Sequence, residues 1–337
     1  FHDPAVRTAT AYGSGGDVDY ISQWTYSYPD PIRAGLDTDE LFTMAKGAKH
    51  DQGVMKMTQI IWYRSQTAPM KKPGETKDIG TSPWEDHDPD AAYITIAPMH
   101  MREAFWIKMS RPIQGIMYHG WQSLVKTHPP GAYRHTHPET QRELKRLVEE
   151  IVKPLGPMLK QVPDRRSDVA FLESFASQMF ARRGTYGWNH TWIGDAFHIL
   201  QYAHLQTEVV YDETVIESGL DDYKVLAMFD CDVITEKVLQ RAQAFQKRGG
   251  IIIGDERLAP AIKPDIVVRS HRRTKQADED RAELISKAAT LRKALDLKYT
   301  RFVDASSPDV ITRARRYGDT GLTHELNRGF PQEIGSS

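Results

Sequence analysis

The sequence predicts an α/β protein of at least two domains, for three reasons. Residues 200–255 alternate short β-branched segments with one amphipathic helix, which is typical of a parallel sheet with helices on its faces. The 337 residues exceed the size at which one hydrophobic core usually stops growing. The segments 17–30, 54–64 and 114–121 are predicted strands that end in polar, aromatic loops, an arrangement typical of the catalytic end of a βα barrel.

Composition excludes several classes of partner. The 44 basic side chains nearly balance the 45 acidic ones, whereas nucleic acids and anionic membranes favour proteins with a basic excess. No run of about 18 apolar residues is present, so no membrane span is predicted. Cys231 is the only cysteine, which excludes an intrachain disulfide and a thiolate metal cluster. The chain opens at Phe1 without a signal-like segment, so we expect a piece of a longer product and leave its cellular location open.

Helix signals organise the first 160 residues. Asp37 and Glu40 predict a capping box for a helix that follows the first strand. The stretch 65–92 is predicted to be a long loop, and Pro98 opens a helix that runs to about residue 109. Thr136 and Glu139 predict a second capping box, and Pro154 is expected to stop that helix and start an interdomain linker over 154–168.

The second half reads as strands with helices between them. Strands are predicted at 168–174, 207–211, 223–229, 250–253 and 265–268. Thr235 is predicted to cap a helix that ends at Gly249 and Gly250. The charged stretch 275–295 is predicted to be a solvated surface helix, and a further β unit is expected beyond Arg301.

Two short motifs and the order of elements resemble a known family. One motif lies around the first strand and the other around the strand at 114–121: Asp19, Tyr20, Ile21, Trp24, Tyr28 and Pro29, then Tyr118, His119, Gly120 and Trp121. The chain resembles microbial β-galactosidases, in which a flavodoxin-like trimerisation domain follows a TIM barrel. The resemblance covers about three quarters of the chain and is best over residues 168–255.

This resemblance implies a domain plan and a class of substrate. Residues 1–160 would be the C-terminal part of a TIM (β/α)8 barrel. Residues 166–300 would form a flavodoxin-like, doubly wound parallel sheet domain of the trimerisation type, and 301–337 the start of a further β unit or a tail. The expected activity is hydrolysis of an oligo- or polysaccharide by a homo-oligomer, with a trimer implied, and with no cofactor and no metal.

The chain departs from the family in its acids. Retaining glycosidases need two carboxylic acids about 5 Å apart. The family's acid/base strand would lie before Phe1, and the strand at 54–64, where the family has its nucleophile, contains no acid. Gln59 is the residue closest in shape there, and an amide cannot serve as that nucleophile. The catalytic residues therefore stay unassigned.

Aromatic residues at the three predicted strand ends suggest a sugar site, because aromatic faces pack against the C–H faces of pyranose rings. The predicted substrate-binding residues are Trp24, Tyr26, Tyr28, Asp30, Trp62, Arg64, His119 and Trp121, with Tyr63 in the same cluster. Bulky rings can instead simply fill a barrel mouth, and Asp30 can form a turn between two prolines. The loop acids Glu85, Asp86, Asp88 and Asp90 could return a carboxylate to the cleft or be a solvated loop.

Other readings stay open. His128, His135 and His137 suggest a metal site, although their spacing is nonspecific and the predicted helix start explains the neighbourhood. Cys231 suggests an amidotransferase-like enzyme, but it lacks the glycines of a nucleophile elbow, so a small buried residue is expected. No Gly-rich loop follows the first strand of the second half, which argues against flavin or nucleotide. The main alternative to a hydrolase is a noncatalytic carbohydrate-binding or assembly protein on a decayed barrel. A partial barrel with unpaired edges would aggregate when expressed alone.

Overall fold

The computed structural model describes residues 13, 17–23, 30–63, 91–180, 190–274, 276–317 and 320–327. Within them the chain divides into two compact units. The first contains Tyr20–Thr38 and Gly53–Pro163, and the second contains Asp39–Gln52 and Asp164–Ser337. Both units have a parallel sheet with helices, so the predicted α/β class is confirmed.

The first unit is organised by a three-stranded parallel sheet whose strands are neighbours in chain order, β1-β2-β5. Its elements are β1 Tyr20–Gln23, α1 Pro31–Lys46 (of which residues 39–46 belong to the second unit), β2 Gly53–Gln59, β3 Ile61–Tyr63, β4 Tyr93–Thr95, α2 Pro98–Met109, β5 Gly115–His119 and α3 Glu139–Leu147. β3 and β4 form a separate antiparallel pair between β2 and α2. The helix predicted from Pro98 is confirmed.

The two faces of this sheet have different neighbours. Ile116 and Tyr118 of β5 pack against the apolar cluster that contains Phe105 of α2. Lys56 and Thr58 of β2 pair with these two residues, so they point to the same, helix-covered face. Residues at the alternate positions, which include Gln59 and His119, point to the opposite face.

Both predicted capping boxes are wrong. Helix α1 begins at Pro31, six residues before Asp37, because Asp30 accepts a hydrogen bond from the Arg33 N–H at 3.1 Å and Pro31 fits the first helical turn. Thr136 does not cap α3. Its hydroxyl accepts from the N–H of Thr95 at 2.9 Å, and its own N–H donates to the Thr95 hydroxyl at 3.1 Å. Thr136 thus hydrogen bonds to Thr95, 41 residues away, and not to the first turn of α3.

Pro154 does not stop the helix. After α3 the chain passes through a π-helical turn, Val148–Val152, into α4, Lys153–Leu159. Pro154 has no N–H for the carbonyl four residues earlier, and its ring would clash with that carbonyl in an ordinary α-helix. A widened turn before the proline is the usual accommodation. Residues 154–159 of the predicted linker are therefore helical.

The second unit is a five-stranded parallel sheet in the order β10-β9-β8-β6-β7. Its elements are β6 Val169–Glu173, α5 Phe175–Phe180, α6 His190–Tyr202, β7 Thr207–Tyr211, α7 Asp212–Ser218, β8 Val225–Met228, α8 Glu236–Lys247, β9 Ile251–Gly254, β10 Ile266–Val267, α9 Ala277–Leu295, β11 Val310–Tyr317 and β12 Thr320–Asn327. All five predicted strands are present, and Thr235 caps α8 by accepting from the Val238 N–H. β11 and β12 form an antiparallel hairpin.

Helices cover both faces of this sheet. Leu172 and Leu226 pack with Val238 and Phe245 of α8 on one face, while Phe171 meets Phe197 of α6 on the other. The strand order is one of the two common orders of doubly wound sheets. Helix α9 is a surface helix, as predicted, but it buries one apolar stripe: Leu284, Ala288, Leu291 and Leu295. No helix in the described ranges is both long and apolar enough to cross a membrane.

Candidate functional site

The carboxyl edge of the first sheet is where the sequence places a site. The strands β1, β2 and β5 end at Gln23, Gln59 and His119, so none of the three ends carries a carboxylate. Gln23 lies on the helix-covered face, where its Oε1 accepts from Lys56 Nζ at 2.6 Å. Gln59 and His119 are register partners and share the opposite face, so they are the polar side chains that these strand ends present there.

Backbone hydrogen bonds hold this edge in shape. The Ile60 N–H donates to the His119 carbonyl at 2.7 Å, and the Ile60 carbonyl accepts from the Ile96 N–H at 2.7 Å. Gly120 then turns the chain with φ of 85°, and a Cβ on it would lie 2.7 Å from Cγ2 of Ile61. Only glycine satisfies both conditions. The turn leads directly into Trp121, whose residue surface is 58% exposed.

Three tyrosines and one histidine form a continuous aromatic row beside this edge. Ring centroids are 5.3 Å apart for Tyr63 and Tyr93, 5.2 Å for Tyr93 and Tyr133, and 6.3 Å for Tyr133 and His119. All three pairs meet edge to face, which is a favoured geometry for aromatic rings. All four side chains are partly exposed, so the row offers both ring surface and polar groups to a ligand.

Only some of the predicted site residues come together. His119 and Trp121 lie at the edge just described. Asp30 instead caps α1, in line with the local role that the sequence left open. Trp62 is 3% exposed and packs in the core, with its ring centroid 4.7 Å from that of His100. As placed, it has almost no surface for a sugar, because β3 turns its side chain inward. The other predicted residues lie outside the described residues: Trp24, Tyr26, Tyr28, Arg64, Glu85, Asp86, Asp88 and Asp90.

Tyr93 and Tyr133 were not predicted from the sequence. Tyr93 opens a strand of only three residues after a long loop, and Tyr133 lies in an irregular segment. The two meet through a single parallel bridge and through the hydrogen bond from the Arg134 N–H to the Tyr93 carbonyl. No local pattern marks such a pairing. An aromatic count over 118–133 would have been the available signal.

Two groups with shifted pKa values, Tyr118 and Lys108, lie on the helix-covered side of the first sheet. Burial raises the pKa of Tyr118 to about 12. Burial, and then the charge of Lys56, hold the pKa of Lys108 well below its usual value. Tyr118, Lys56 and Lys108 belong to the layer between the sheet and its helices, on the opposite face from Gln59 and His119.

The histidines do not form a metal centre in the described part of the chain. Nδ1 of His135 hydrogen bonds to the Ser123 carbonyl at 2.9 Å. Within the described ranges no group of three or more His, Cys, Asp or Glu side chains is placed to hold a metal ion.

Doubly wound sheets usually bind ligands at the carboxyl edge, where the strand order reverses, which is between β6 and β8 in the second unit. Here the segments that follow these two strands hydrogen bond to each other. Ser177 of α5 and Val233, in the segment after β8, exchange hydrogen bonds: the Val233 N–H donates to the Ser177 hydroxyl at 3.2 Å, and that hydroxyl donates to the Val233 carbonyl. Cys231 is 1% exposed, with Sγ 3.3 Å from the Phe229 carbonyl. It is the buried residue that the sequence predicted, which disfavours the amidotransferase-like reading.

A buried carboxylate, Asp255, connects the start of helix α6 with two loop segments at the same edge. Asp255 Oδ2 accepts from Trp192 Nε1 at 2.6 Å and from the Asp230 N–H at 2.7 Å, while Oδ1 accepts from the Arg257 N–H at 2.9 Å. Asp230 is held in the left-handed region, with φ of 56°. Protein groups therefore satisfy one another's hydrogen bonds at Asp255.

The fold places this chain among α/β proteins with two separate parallel sheets. No protein-family model and no curated protein sequence matches the chain. Solved structures that it resembles include glycoside hydrolases. Gan42B, a GH42 β-galactosidase from G. stearothermophilus, aligns over 92% of this chain and 54% of its own, with 12% identity and a TM-score of 0.55. A catalytic mutant of that enzyme gives 11% identity, the same coverage and a TM-score of 0.56.

A β-galactosidase from Bacillus circulans sp. alkalophilus is less similar, with 15% identity over 72% of this chain and 33% of its own and a TM-score of 0.47. The chain thus spans about half of the length of Gan42B and less of the others. At these identities the likeness supports a distant glycosidase-like fold, consistent with part of a TIM-barrel-like enzyme.

Proposed function

We propose that this chain belongs to a glycoside hydrolase of the β-galactosidase type that acts on an oligo- or polysaccharide. The observation that carries the proposal is the partly exposed aromatic row at the carboxyl edge of a chain-ordered parallel sheet, with Trp121 beside it. Aromatic faces pack on sugar C–H faces, and partly exposed polar edges bond hydroxyls. The first unit would be part of a TIM barrel.

The chemistry would be hydrolysis through an oxocarbenium-like transition state, which needs a carboxylic acid and a carboxylate on either side of the scissile bond. The described strand ends supply Gln23, Gln59 and His119 instead. The acid pair would therefore come from other parts of the molecule, with the row and Trp121 holding the sugar. His119 would orient hydroxyls.

The second unit would be a flavodoxin-like assembly domain, and the whole protein a homo-oligomer, with a trimer suggested by the family resemblance. Its strand order and the mutual satisfaction of its loop ends support a structural task. Light scattering on the purified protein would measure the number of subunits, and a stable monomer would contradict this part of the proposal.

A noncatalytic carbohydrate-binding protein is the second candidate, and the lack of acids at the three strand ends favours it. Binding and hydrolysis of β-1,4-galactotriose, measured on the same preparation by calorimetry and by product analysis, separate the two. Binding with turnover supports the hydrolase, and binding without turnover supports the second candidate. If the protein neither binds nor hydrolyses any of a set of β-linked galacto-oligosaccharides, both candidates are contradicted.

Trp121→Ala tests the site directly. The ring is mostly exposed, so its loss should leave the melting temperature within about 1 °C while weakening galactotriose binding about 10-fold. Phe302→Ala is the matched control, because Phe302 is also an exposed ring, 53%, but packs on Arg165 of the second unit. Equal binding by the Trp121 variant and the unchanged chain would remove Trp121 from the site.

A further inference from the structure

The side-chain amide of Gln59 is buried beside the candidate site. Its residue surface is 5% exposed, and among the described residues none accepts a hydrogen bond from its Nε2. A buried donor without an acceptor destabilises a fold, and most such groups in native proteins have a partner. The residue lies at the last position of β2, at the carboxyl edge of the sheet.

The direction of the side chain places the amide with the candidate site. Gln59 pairs in register with His119 on β5, so both side chains leave the same face of the sheet. His119 in turn contacts Tyr133 of the aromatic row. An amide N–H that lacks an acceptor among the described residues lies here beside a row of partly exposed rings. This arrangement suits a ligand with both apolar faces and hydroxyl groups.

Thr58, the preceding residue, shows that an unused polar group alone does not mark a ligand. Its hydroxyl also has no hydrogen-bond partner within the part of the chain that the structure describes, and its residue surface is 1% exposed. It points to the opposite, helix-covered face, where its register partner Tyr118 packs against the core. The two neighbours therefore differ in the face they occupy and not in their degree of burial.

We propose that Gln59 is a specificity-determining residue whose carboxamide hydrogen bonds a hydroxyl of the bound saccharide. The inference rests on the proposed function. A hydroxyl both donates and accepts, so it satisfies either end of the amide. A ligand without a hydroxyl at that position leaves the amide unsatisfied and binds more weakly, which is how a polar group in an enclosed site discriminates between sugars.

Gln59→Met tests this in the full chain, because methionine keeps the length of the side chain and removes the amide. The substitution should weaken ligand binding without lowering the stability of the fold. Binding of β-1,4-galactotriose should weaken about 10-fold, while the melting temperature stays the same or rises by about 2 to 4 °C as an unsatisfied buried group is removed. Gln59→Leu is the second variant, in case methionine packs poorly. Thr58→Val is the matched control and should raise or keep the melting temperature without changing the affinity.

The outcomes separate the inference from the function on which it rests. Binding by the unchanged chain together with undiminished binding by folded Gln59→Met or Gln59→Leu overturns the role of Gln59 and leaves the proposed function in place. An equal loss of affinity in Thr58→Val also overturns it, since the effect would then be one of packing. Absence of galactotriose binding by the unchanged chain overturns both.

Discussion

Glu143 is the clearest case of a single side chain that joins two helices. It lies in α3, is 7% exposed, and accepts two hydrogen bonds from Arg102 of α2, at 2.9 and 3.2 Å, and two from Arg146, at 3.1 and 2.7 Å. Partial burial alone would raise the pKa of Glu143, but the hydrogen bonds of Arg146 and Arg102 outweigh it and lower the pKa to about 2. Charge-assisted pairs of this kind are stronger than neutral hydrogen bonds.

The shift makes stability depend on pH. A carboxylate with a lowered folded pKa stabilises the fold above its unfolded pKa of about 4.3, and the contribution is lost as the pH falls toward the folded value. Glu143→Gln should therefore lower the free energy of unfolding by about 1 to 3 kcal/mol at pH 7, with the difference shrinking between pH 4.3 and pH 2. Urea unfolding across this range measures it. The exposed Glu149→Gln serves as the control and should change little, and a deficit of Glu143→Gln that is independent of pH would refute the pairing.

Residues at helix ends are predictable from the sequence where they act on their own turn. Thr235, Pro98 and the two glycines after α8 act locally, within one turn, and the sequence predicted each of them. Trp62 was assigned to the sugar site because a strand end is a good place for an aromatic ring. Its burial depends on which face of a three-residue strand meets the core, and that is decided by β4 and α2.

At the scale of elements, one pair of threonines fastens β4 to the segment before α3. The N–H of each residue donates to the other's hydroxyl, and the Thr95 hydroxyl bonds to the Ser123 and Arg134 carbonyls at 3.0 Å. Thr95 is completely buried and Thr136 nearly so. This ladder, with the bridge between Tyr93 and Tyr133, holds the aromatic row together.

Thr136→Val should lower the free energy of unfolding by about 1 to 3 kcal/mol, because it keeps the shape of the side chain and leaves the buried Thr95 N–H without an acceptor. Chemical denaturation measures the loss, and galactotriose affinity should fall with it as the row loosens. Thr127→Val is a matched control: its hydroxyl accepts from the Gly131 N–H at 3.2 Å in an exposed turn, where water can replace it. Equal costs for the two variants would contradict the role given to burial.

Elements were easier to predict than their partners. The strands of the second unit are short apolar runs and helix α2 opens at Pro98, so their positions follow from the chain itself. The capping pattern of Asp37 and Glu40 predicts a start for helix α1 that is seven residues too late, because Asp30 and Pro31 form the real start. The continuation through Pro154 was missed because a π turn has no sequence signal of its own.

At the scale of the whole molecule, the second unit contains a largely buried cation that bridges three segments. Arg313 of β11 pairs with Asp39 at 3.2 Å and with Asp164. Burial alone would lower the pKa of Arg313, but the charges of Asp164 and Asp39 raise it above its ordinary value. Removing one partner of a buried ion pair leaves the others uncompensated, which typically costs about 3 to 5 kcal/mol.

Arg313→Met and Thr136→Val together test whether the two units unfold separately. Each unit has its own apolar cluster and its own sheet, so we expect two calorimetric transitions in the 337-residue chain. Arg313→Met should lower the midpoint of one transition by roughly 5 °C or more, and Thr136→Val should lower the other by roughly 2 to 6 °C. The double variant should show both shifts added, because the two sites share no partner. One transition moved by either substitution would show instead that the chain unfolds as a single cooperative structure.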